Sequence, residues 1–115
     1  VQKLAANPSA FGFFGYSYLV ANKDKIKAAA INGVQPSLEG IQDYSYPIAR
    51  PLFFYVKKAH IGVVPGIQEF MKEFTSKKSM GSRGYLTDIG LVPLASDKYK
   101  TVRTAATDLT TIKIK

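Results

Sequence analysis

Apolar residues gather in short runs along this chain, and the clearest run lies at residues 52–56. Its side chains are aliphatic, aromatic or β-branched, which favours a buried strand, and the run is far too short to cross a bilayer. Pro47 and Pro51 fix their own φ angles and push Tyr46 and Arg50 toward extended geometry. The pattern therefore predicts a strand that the chain enters already stretched, as in a crossing between two packed bodies.

A helical repeat of apolar residues follows at residues 67–74. The apolar side chains recur at the spacing that places them on one face of an α-helix. They are Ile67, Phe70, Met71 and Phe74. Pro65 precedes them, at a point where the first helical turn accepts a proline. We therefore predict an amphipathic helix with this face buried.

Shorter patterns in the first part of the chain predict two more strands and two short helices. Residues 1–6 are the end of a helix, and residues 11–19 are a strand interrupted by glycines. Residues 26–31 are a second short strand or an extended piece, which ends in an Asn-Gly turn signal at residues 32–33. Ser37 is placed to cap a brief helix.

The pattern after the amphipathic helix predicts a polar loop or short helical turn at residues 76–84, an extended piece at residues 91–94 and a final helix capped by Ser96. The shared face of that last helix comprises Tyr99, Val102, Arg103, Ala106 and Leu109. Residues 111–115 alternate Ile and Lys, which is typical of either an edge strand or a frayed end. Together the patterns predict an α/β fold of mixed sheet pieces with flanking helices.

Composition narrows the partners that this chain is expected to bind. Its 115 residues, of which 46% are hydrophobic, suffice for the core of one ordinary domain. A net charge of +8 suggests affinity for polyanions or anionic surfaces, or a field that draws small anions inward. The lysines lie in scattered pairs such as Lys57-Lys58 and Lys77-Lys78, which favours a solvated basic surface over a nucleic-acid site.

Candidate catalytic and metal-binding chemistry is sparse. The chain has no cysteine, which excludes disulfides, thiol catalysis and zinc sites built on thiolates, and leaves the redox compartment undetermined. His60 is the single histidine and has no His or Cys partner. The carboxylates are spread along predicted helices and turns. We therefore predict no enzymatic activity, no catalytic residue, no metal site and no cofactor.

One polar loop is a candidate anion site. Ser79, Ser82 and Arg83 lie in residues 76–84, which also contain Gly81 and Gly84, and hydroxyl and guanidinium groups are anion donors. The loop does not match the phosphate loop of nucleotide-binding proteins. An exposed basic connector is the alternative interpretation.

Arg50, between Pro47 and Pro51, is the candidate anchor of the crossing segment. An arginine at this position is either a solvated charge or a partly buried group whose planar fork holds carbonyls or a carboxylate. We favour the anchor, so these three residues are the predicted hinge. Replacing Arg50 with Met in the intact protein is expected to change stability or ligand affinity.

Four blocks of residues carry a family resemblance: residues 9–16 (Ser-Ala-Phe-Gly-Phe-Phe-Gly-Tyr), 31–37 (Ile-Asn-Gly-Val-Gln-Pro-Ser), 46–52 (Tyr-Pro-Ile-Ala-Arg-Pro-Leu) and 90–94 (Gly-Leu-Val-Pro-Leu). In order and spacing the chain resembles the last third of the phosphate-binding proteins of bacterial phosphate ABC importers. Ala49 stands where that family usually has a small hydroxyl residue, and Phe13 and Phe14 enrich a stretch usually lighter in aromatics.

The resemblance implies a two-lobed protein outside the cytoplasmic membrane, periplasmic or otherwise extracytoplasmic, that closes on inorganic phosphate and delivers it to a membrane permease. Residues 1–48 would belong to the second lobe, and residues 49–115 would return to the first lobe. The phosphate ligands of the family lie upstream of anything in this chain, so no phosphate-binding residue is carried over. An export signal would also lie upstream.

The resemblance further implies that apolar faces are left open by the absent portion of the protein. Such faces seek partners, so we expect the chain with its missing N-terminal portion, as a self-associated or segment-swapped oligomer, or in a rearranged compact form. Two other functions stay open: a binding protein for another small oxyanion, and a basic adaptor for nucleic acid or anionic surfaces.

Overall fold

The computed structural model describes residues 1–112, which form short helices joined by long irregular segments. The α-helices in this part of the chain are α1 (Gln2–Ala5), α2 (Tyr16–Val20), α3 (Leu38–Gln42), α4 (Ile67–Phe74), α5 (Lys77–Met80), α6 (Tyr85–Asp88) and α7 (Ser96–Thr107). A 3-10 turn spans Lys58–His60. The helix predicted at residues 67–74 is confirmed by α4.

The chain is elongated, with principal extents of 52 × 31 × 26 Å. Its radius of gyration is 17.2 Å, whereas a compact domain of this length has about 13 Å. The buried hydrophobic side chains of the described residues are Ile26, Met80 and Tyr99. The core is therefore small for a chain that is nearly half hydrophobic.

The four C-terminal helices, α4 to α7, form one packed group that we call the helical cluster. Helix α4 contacts α5 and α7, and α5 contacts α6. Phe74 stacks on Phe54 with ring centroids 4.8 Å apart, and Phe54 also lies 5.4 Å from Phe70. The predicted apolar face of α4 is only partly buried, because Phe70 stays 56% exposed with Phe54 and Phe74 as its aromatic neighbours.

Side-chain caps fix the start of two helices. Ser37 Oγ accepts a hydrogen bond from the Gly40 amide at 2.9 Å, which confirms the predicted cap of α3. Ser76 Oγ accepts one from the Ser79 amide at 3.1 Å and begins α5 within the predicted polar loop. The prediction for Ser96 is wrong, because Ala95 holds the cap position of α7 and no side chain bonds there.

The Asn-Gly turn is confirmed as a two-residue reversal. Ile31 and Val34 exchange both backbone hydrogen bonds, at 2.9 and 3.0 Å, across Asn32 and Gly33. Both central residues have positive φ, 52° and 78°, as a type I′ turn requires. This isolated bridge is the β-pairing found among the described residues.

The predicted mixed sheet is not confirmed by residues 1–112, which contain no strand. Residues 11–15 are irregular and the rest of that predicted strand is helix α2. Residues 52–56 have no regular structure and are mostly exposed, although we expected a buried strand. A strand needs hydrogen bonds to a neighbouring strand. Among the described residues, no second segment pairs with residues 11–15 or 52–56.

The predicted edge strand at residues 111–115 falls partly outside the described residues, and residues 111–112 have no regular structure. Among the residues that the structure describes, we find no helix with the length and apolar character to span a membrane.

Candidate functional site

An apolar cleft of about 910 Å³ occupies the N-terminal part of the molecule. Its walls come from residues between positions 4 and 52 and from the distant residues 90–94. Phe11, Phe13 and Ile26 are among the apolar lining residues. The chain therefore leaves this region after residue 52, forms helices α4 to α6, and returns to the cleft at residues 90–94, before α7.

The returning segment is held at a glycine that has no room for a side chain. Gly90 has φ 101°, and a Cβ atom there would collide with the Cβ of Ser17 in helix α2. Nearby, the side-chain amide of Gln42 donates a hydrogen bond to the Pro93 carbonyl at 2.7 Å. Close backbone contact and this hydrogen bond together fix residues 90–94 against the N-terminal part.

A second contact joins α7 to the N-terminal part. Lys98 Nζ donates a hydrogen bond to Tyr44 Oη at 3.1 Å and lies 4.6 Å from the centroid of the same ring. Both side chains are exposed, so the cation–π and hydrogen-bond contacts are expected to stabilise the arrangement only weakly.

The predicted hinge residues lie next to one another on the surface. Arg50 Nη1 donates a hydrogen bond to the Ala49 carbonyl at 2.9 Å and makes a marginal contact with the Pro47 carbonyl at 3.5 Å. Pro51 is exposed beside them. Among the described residues, Arg50 thus contacts only the carbonyl groups of nearby residues, and its side chain is exposed. Its role as a partly buried anchor stays a prediction.

The three residues of the candidate anion site lie at different depths. Ser79 is fully buried, and its hydroxyl has no hydrogen-bond partner among the described residues. Ser82 and Arg83 are exposed. A Cβ atom on Gly84 would collide with the Ser79 carbonyl, so the loop is tightly folded around this serine. The structure does not bring the three donors to one surface.

A buried hydrogen-bond network that the sequence did not reveal lies at the end of α4. Tyr99 Oη and Arg103 Nη1 each donate to the Thr75 carbonyl at 2.9 Å. Arg103 Nη1 also donates to Tyr99 Oη at 3.2 Å. The predicted shared face of Tyr99 and Arg103 was the available signal, but nothing in the sequence pointed to Thr75 as the acceptor. The network fastens α7 to α4.

The remaining ionisable groups include two exposed ion pairs, Lys25 with Asp24 at 3.9 Å and Lys100 with Asp97 at 3.8 Å. His60 is exposed in the 3-10 turn, and the described residues hold no group of three or more His, Cys, Asp or Glu side chains able to bind a metal. The pKa of the exposed Asp43 carboxyl is lowered, chiefly by the hydrogen bond that it accepts from the Ser45 amide at 2.8 Å. This bond closes a local turn.

This chain is similar in sequence to proteins named phosphate-binding protein in several staphylococci. It is 32% identical over 104 residues to the phosphate-binding protein PstS of Staphylococcus saprophyticus, a match that covers 86% of this chain and 31% of that relative. PstS of Staphylococcus haemolyticus is 36% identical over 94 residues, covering 75% of this chain and 29% of the relative. PstS of Staphylococcus aureus is 33% identical over 105 residues, a match that covers 87% of this chain and 31% of that relative.

The chain thus spans about a third of the length of these relatives. No solved structure matches it. The profile of the PBP superfamily domain matches residues 1–78, more than half of the chain. The chain therefore belongs to the PBP superfamily.

Proposed function

We propose that this chain is the C-terminal portion of an extracytoplasmic solute-binding protein that captures inorganic phosphate for an ABC importer. The observation that carries the proposal is the match to relatives named phosphate-binding protein, which extends over 86% of the chain. The four sequence blocks quoted above, including the proline-bracketed Arg50, belong to the same family pattern.

The contribution of this portion is scaffold and hinge. Residues 1–48 supply most of the apolar cleft, and residues 49–115 supply the helical cluster, which supports a lobe boundary near residue 48. Residues 90–94 qualify that boundary, since they lie against the cleft and make a second crossing between the two parts. Pro47, Arg50 and Pro51 lie in the first crossing and are the proposed hinge.

The phosphate ligands of the proposed protein lie outside this chain. Selectivity for phosphate over sulfate needs backbone and hydroxyl donors together with an acidic acceptor, which demands a protonated ligand. Ser79 is buried away from Ser82 and Arg83, so the polar loop offers no convergent set of donors for this task. The proposed protein works by lobe closure, with no catalysis and no cofactor.

The proposal also includes the sheet that residues 1–112 lack. The segments at residues 11–15, 26–31 and 52–56, which contain no helix, would pair with strands of the longer protein and complete a mixed sheet flanked by helices. The partners are then phosphate, a membrane ABC permease, and the missing portion of the same polypeptide or a second copy.

Calorimetric titration of the full-length protein that contains this chain tests the proposal. We expect saturable binding of phosphate, with binding of sulfate and molybdate at least about 100-fold weaker, a difference of roughly 2.7 kcal/mol. Equal or tighter binding of sulfate or molybdate would transfer the function to a sibling oxyanion receptor. Absence of binding to all three anions would refute an oxyanion receptor.

The net charge of +8 favours one other function, a basic adaptor for nucleic acid or anionic surfaces. Counterion release makes such binding fall steeply with salt. Binding of the chain to duplex DNA or to vesicles containing phosphatidylserine that weakens at least tenfold between about 50 and 200 mM salt would support the adaptor. Absence of binding at the lower salt concentration would exclude it.

A further inference from the structure

The Asn-Gly turn places two groups that can react with each other on the surface of the N-terminal part. Asn32 and Gly33 are both exposed. Within the part of the chain that the structure describes, the backbone hydrogen bonds of the turn run from the amides of Ile31 and Val34, and neither uses the Gly33 amide. A Cβ atom placed on Gly33 would meet nothing within 4 Å. Solvent therefore reaches both the Gly33 nitrogen and the side-chain amide of Asn32.

Glycine after asparagine leaves the backbone nitrogen open to reaction with the asparagine side chain. Gly33 has no Cβ atom that would obstruct the approach of its nitrogen to Asn32 Cγ, and it tolerates a wide range of backbone angles. The approach requires the turn to open, and two surface hydrogen bonds at 2.9 and 3.0 Å hold it closed. Local opening of so small an exposed element has a low free energy. The folded protein can therefore reach the reactive geometry without global unfolding.

The other asparagines of this chain lack this combination of features. Asn7 is followed by Pro8, whose nitrogen carries no hydrogen and cannot act as the nucleophile. Asn22 is half-buried, and its side-chain amide donates a hydrogen bond to the Tyr18 carbonyl at 2.9 Å. Its neighbour is a lysine, which has a side chain beside the backbone nitrogen. Asn32 is thus the asparagine with an exposed, unhindered amide on its C-terminal side.

We propose that Asn32 is a site of spontaneous covalent modification that converts it to isoaspartate and breaks its turn. The Gly33 nitrogen gives up its proton to hydroxide and bonds to Asn32 Cγ, the Cγ–Nδ2 bond breaks, and Nδ2 leaves as ammonia. Water then opens the resulting cyclic imide at either of its carbonyl carbons, which yields aspartate or isoaspartate. The net reaction consumes one water and releases one ammonia, and it does not depend on the proposed function.

Isoaspartate changes the path of the main chain. It routes the backbone through Cβ and Cγ of residue 32, which adds a carbon atom to a turn that accommodates two residues of normal length. The reciprocal hydrogen bonds between Ile31 and Val34 then lose their alignment. Ile31 lines the apolar cleft, so the modification loosens one wall of the cleft. Aspartate keeps the normal backbone, and Asp-Gly suits the same turn.

Peptide mapping by mass spectrometry tests the proposal on the full-length protein that contains this chain. The protein is kept folded at neutral pH and physiological temperature, and samples are taken over time. We expect Asn32 to be converted at least about tenfold faster than Asn7 or Asn22, because Gly33 supplies the unhindered amide. Electron-transfer fragmentation, which distinguishes isoaspartate from aspartate, is expected to find isoaspartate among the products.

Two variants identify the reacting groups. Gly33→Ala places a methyl group beside the nucleophilic nitrogen and should slow the conversion at least about tenfold. The new Cβ atom enters open space, so the variant is expected to fold. Asn32→Gly is the matched control, since Gly-Gly also suits this turn but has no side-chain amide to convert. Any deamidation left in the same peptide then measures the background from Gln35 and Gln42.

Hydrogen exchange tests the structural consequence. In aged protein that carries isoaspartate, we expect the amides of Ile31 and Val34 to exchange at least about threefold faster than in fresh protein. Fresh Asn32→Asp protein carries the new charge on a normal backbone, and its exchange at these amides should stay within about twofold of the unmodified protein. This pair separates the altered backbone from the added charge.

Three results would overturn the inference. The first is conversion of Asn32 in the folded protein no faster than that of Asn22, which would show that the turn protects it. The second is aspartate as the sole product, which would indicate direct hydrolysis without the cyclic imide. The third is unchanged exchange at Ile31 and Val34 in protein that carries isoaspartate, which would show that the turn survives the modification.

Discussion

The helical cluster and the N-terminal part of the chain contain similar apolar side chains but use them differently. In the cluster, four helices contact one another, and Met80, Tyr99, Thr75 and Ser79 are buried. In the first 56 residues, Ile26 is the buried hydrophobic side chain, while Phe11, Phe13 and Leu52 are largely exposed. A helix satisfies its backbone internally and needs only one covered face, whereas a strand needs a neighbour at each edge.

The helical cluster and the N-terminal part therefore depend to different degrees on what surrounds them. The cluster closes on itself through α4, α7 and the Thr75 network. The N-terminal part is held by short-range turns and by the returning residues 90–94. Two substitutions, in the junction and in the cluster, and one carboxyl titration in the N-terminal part test this difference.

Substitution at the junction is expected to have the largest effect. Gly90→Ala forces a Cβ atom into Ser17 at a positive φ, and we expect a loss of about 2–4 kcal/mol in the free energy of unfolding, measured by urea denaturation. Gly62→Ala is the matched control, because Gly62 also has positive φ but open space around it. It should cost about 1 kcal/mol. Equal losses would show that residues 90–94 do not hold the two parts together.

Substitution in the cluster is expected to have an intermediate effect. Tyr99→Phe removes the hydroxyl that donates to the Thr75 carbonyl and accepts from Arg103. We expect a loss of about 1–2 kcal/mol, measured by thermal and urea unfolding. Tyr18→Phe, at an exposed tyrosine of the N-terminal part, should change stability by less than about 0.5 kcal/mol. A larger loss for Tyr18→Phe would reverse the ranking of the two parts.

Protonation of Asp43, in the N-terminal part, is expected to have the smallest effect on stability. The folded pKa of Asp43 is below its usual 3.8, so the turn with Ser45 contributes stability that is fully present above that pH. This contribution is lost as the pH falls through the lowered folded value. A carboxyl titration followed by NMR should place the midpoint below 3.8. A midpoint at or above 3.8 would contradict the turn, and Asp43→Asn should remove the pH dependence while retaining the turn.

Local patterns predicted the local structure well. The apolar spacing predicted α4, the Asn-Gly pair predicted the two-residue turn, and Ser37 predicted its cap, because each depends on residues within one turn of chain. Elements that depend on distant partners were predicted poorly. Residues 52–56 have strand character but no neighbouring strand among the described residues, and residues 16–20 became helix where a strand was expected.

The candidate sites show the same difference between features that depend on nearby residues and features that depend on distant ones. Arg50 was predicted to be a partly buried anchor, whereas its side chain is exposed and donates to the adjacent Ala49 carbonyl. The burial of this side chain depends on packing that the neighbouring sequence does not determine. Ser79 resembled a surface donor by composition, whereas the close approach of Gly84 encloses it. The Thr75 network joins residues more than twenty positions apart and had no local signal.

The open segment at residues 52–56 also affects solubility. A short, uncharged and strongly β-prone stretch without proline is the type of sequence that assembles into cross-β fibrils when it is exposed. Pro51 stands immediately before it, and Lys57 and Lys58 stand immediately after it. Proline and lysine at such flanks oppose fibril growth, so Pro51, Lys57 and Lys58 are expected to protect the exposed segment against aggregation.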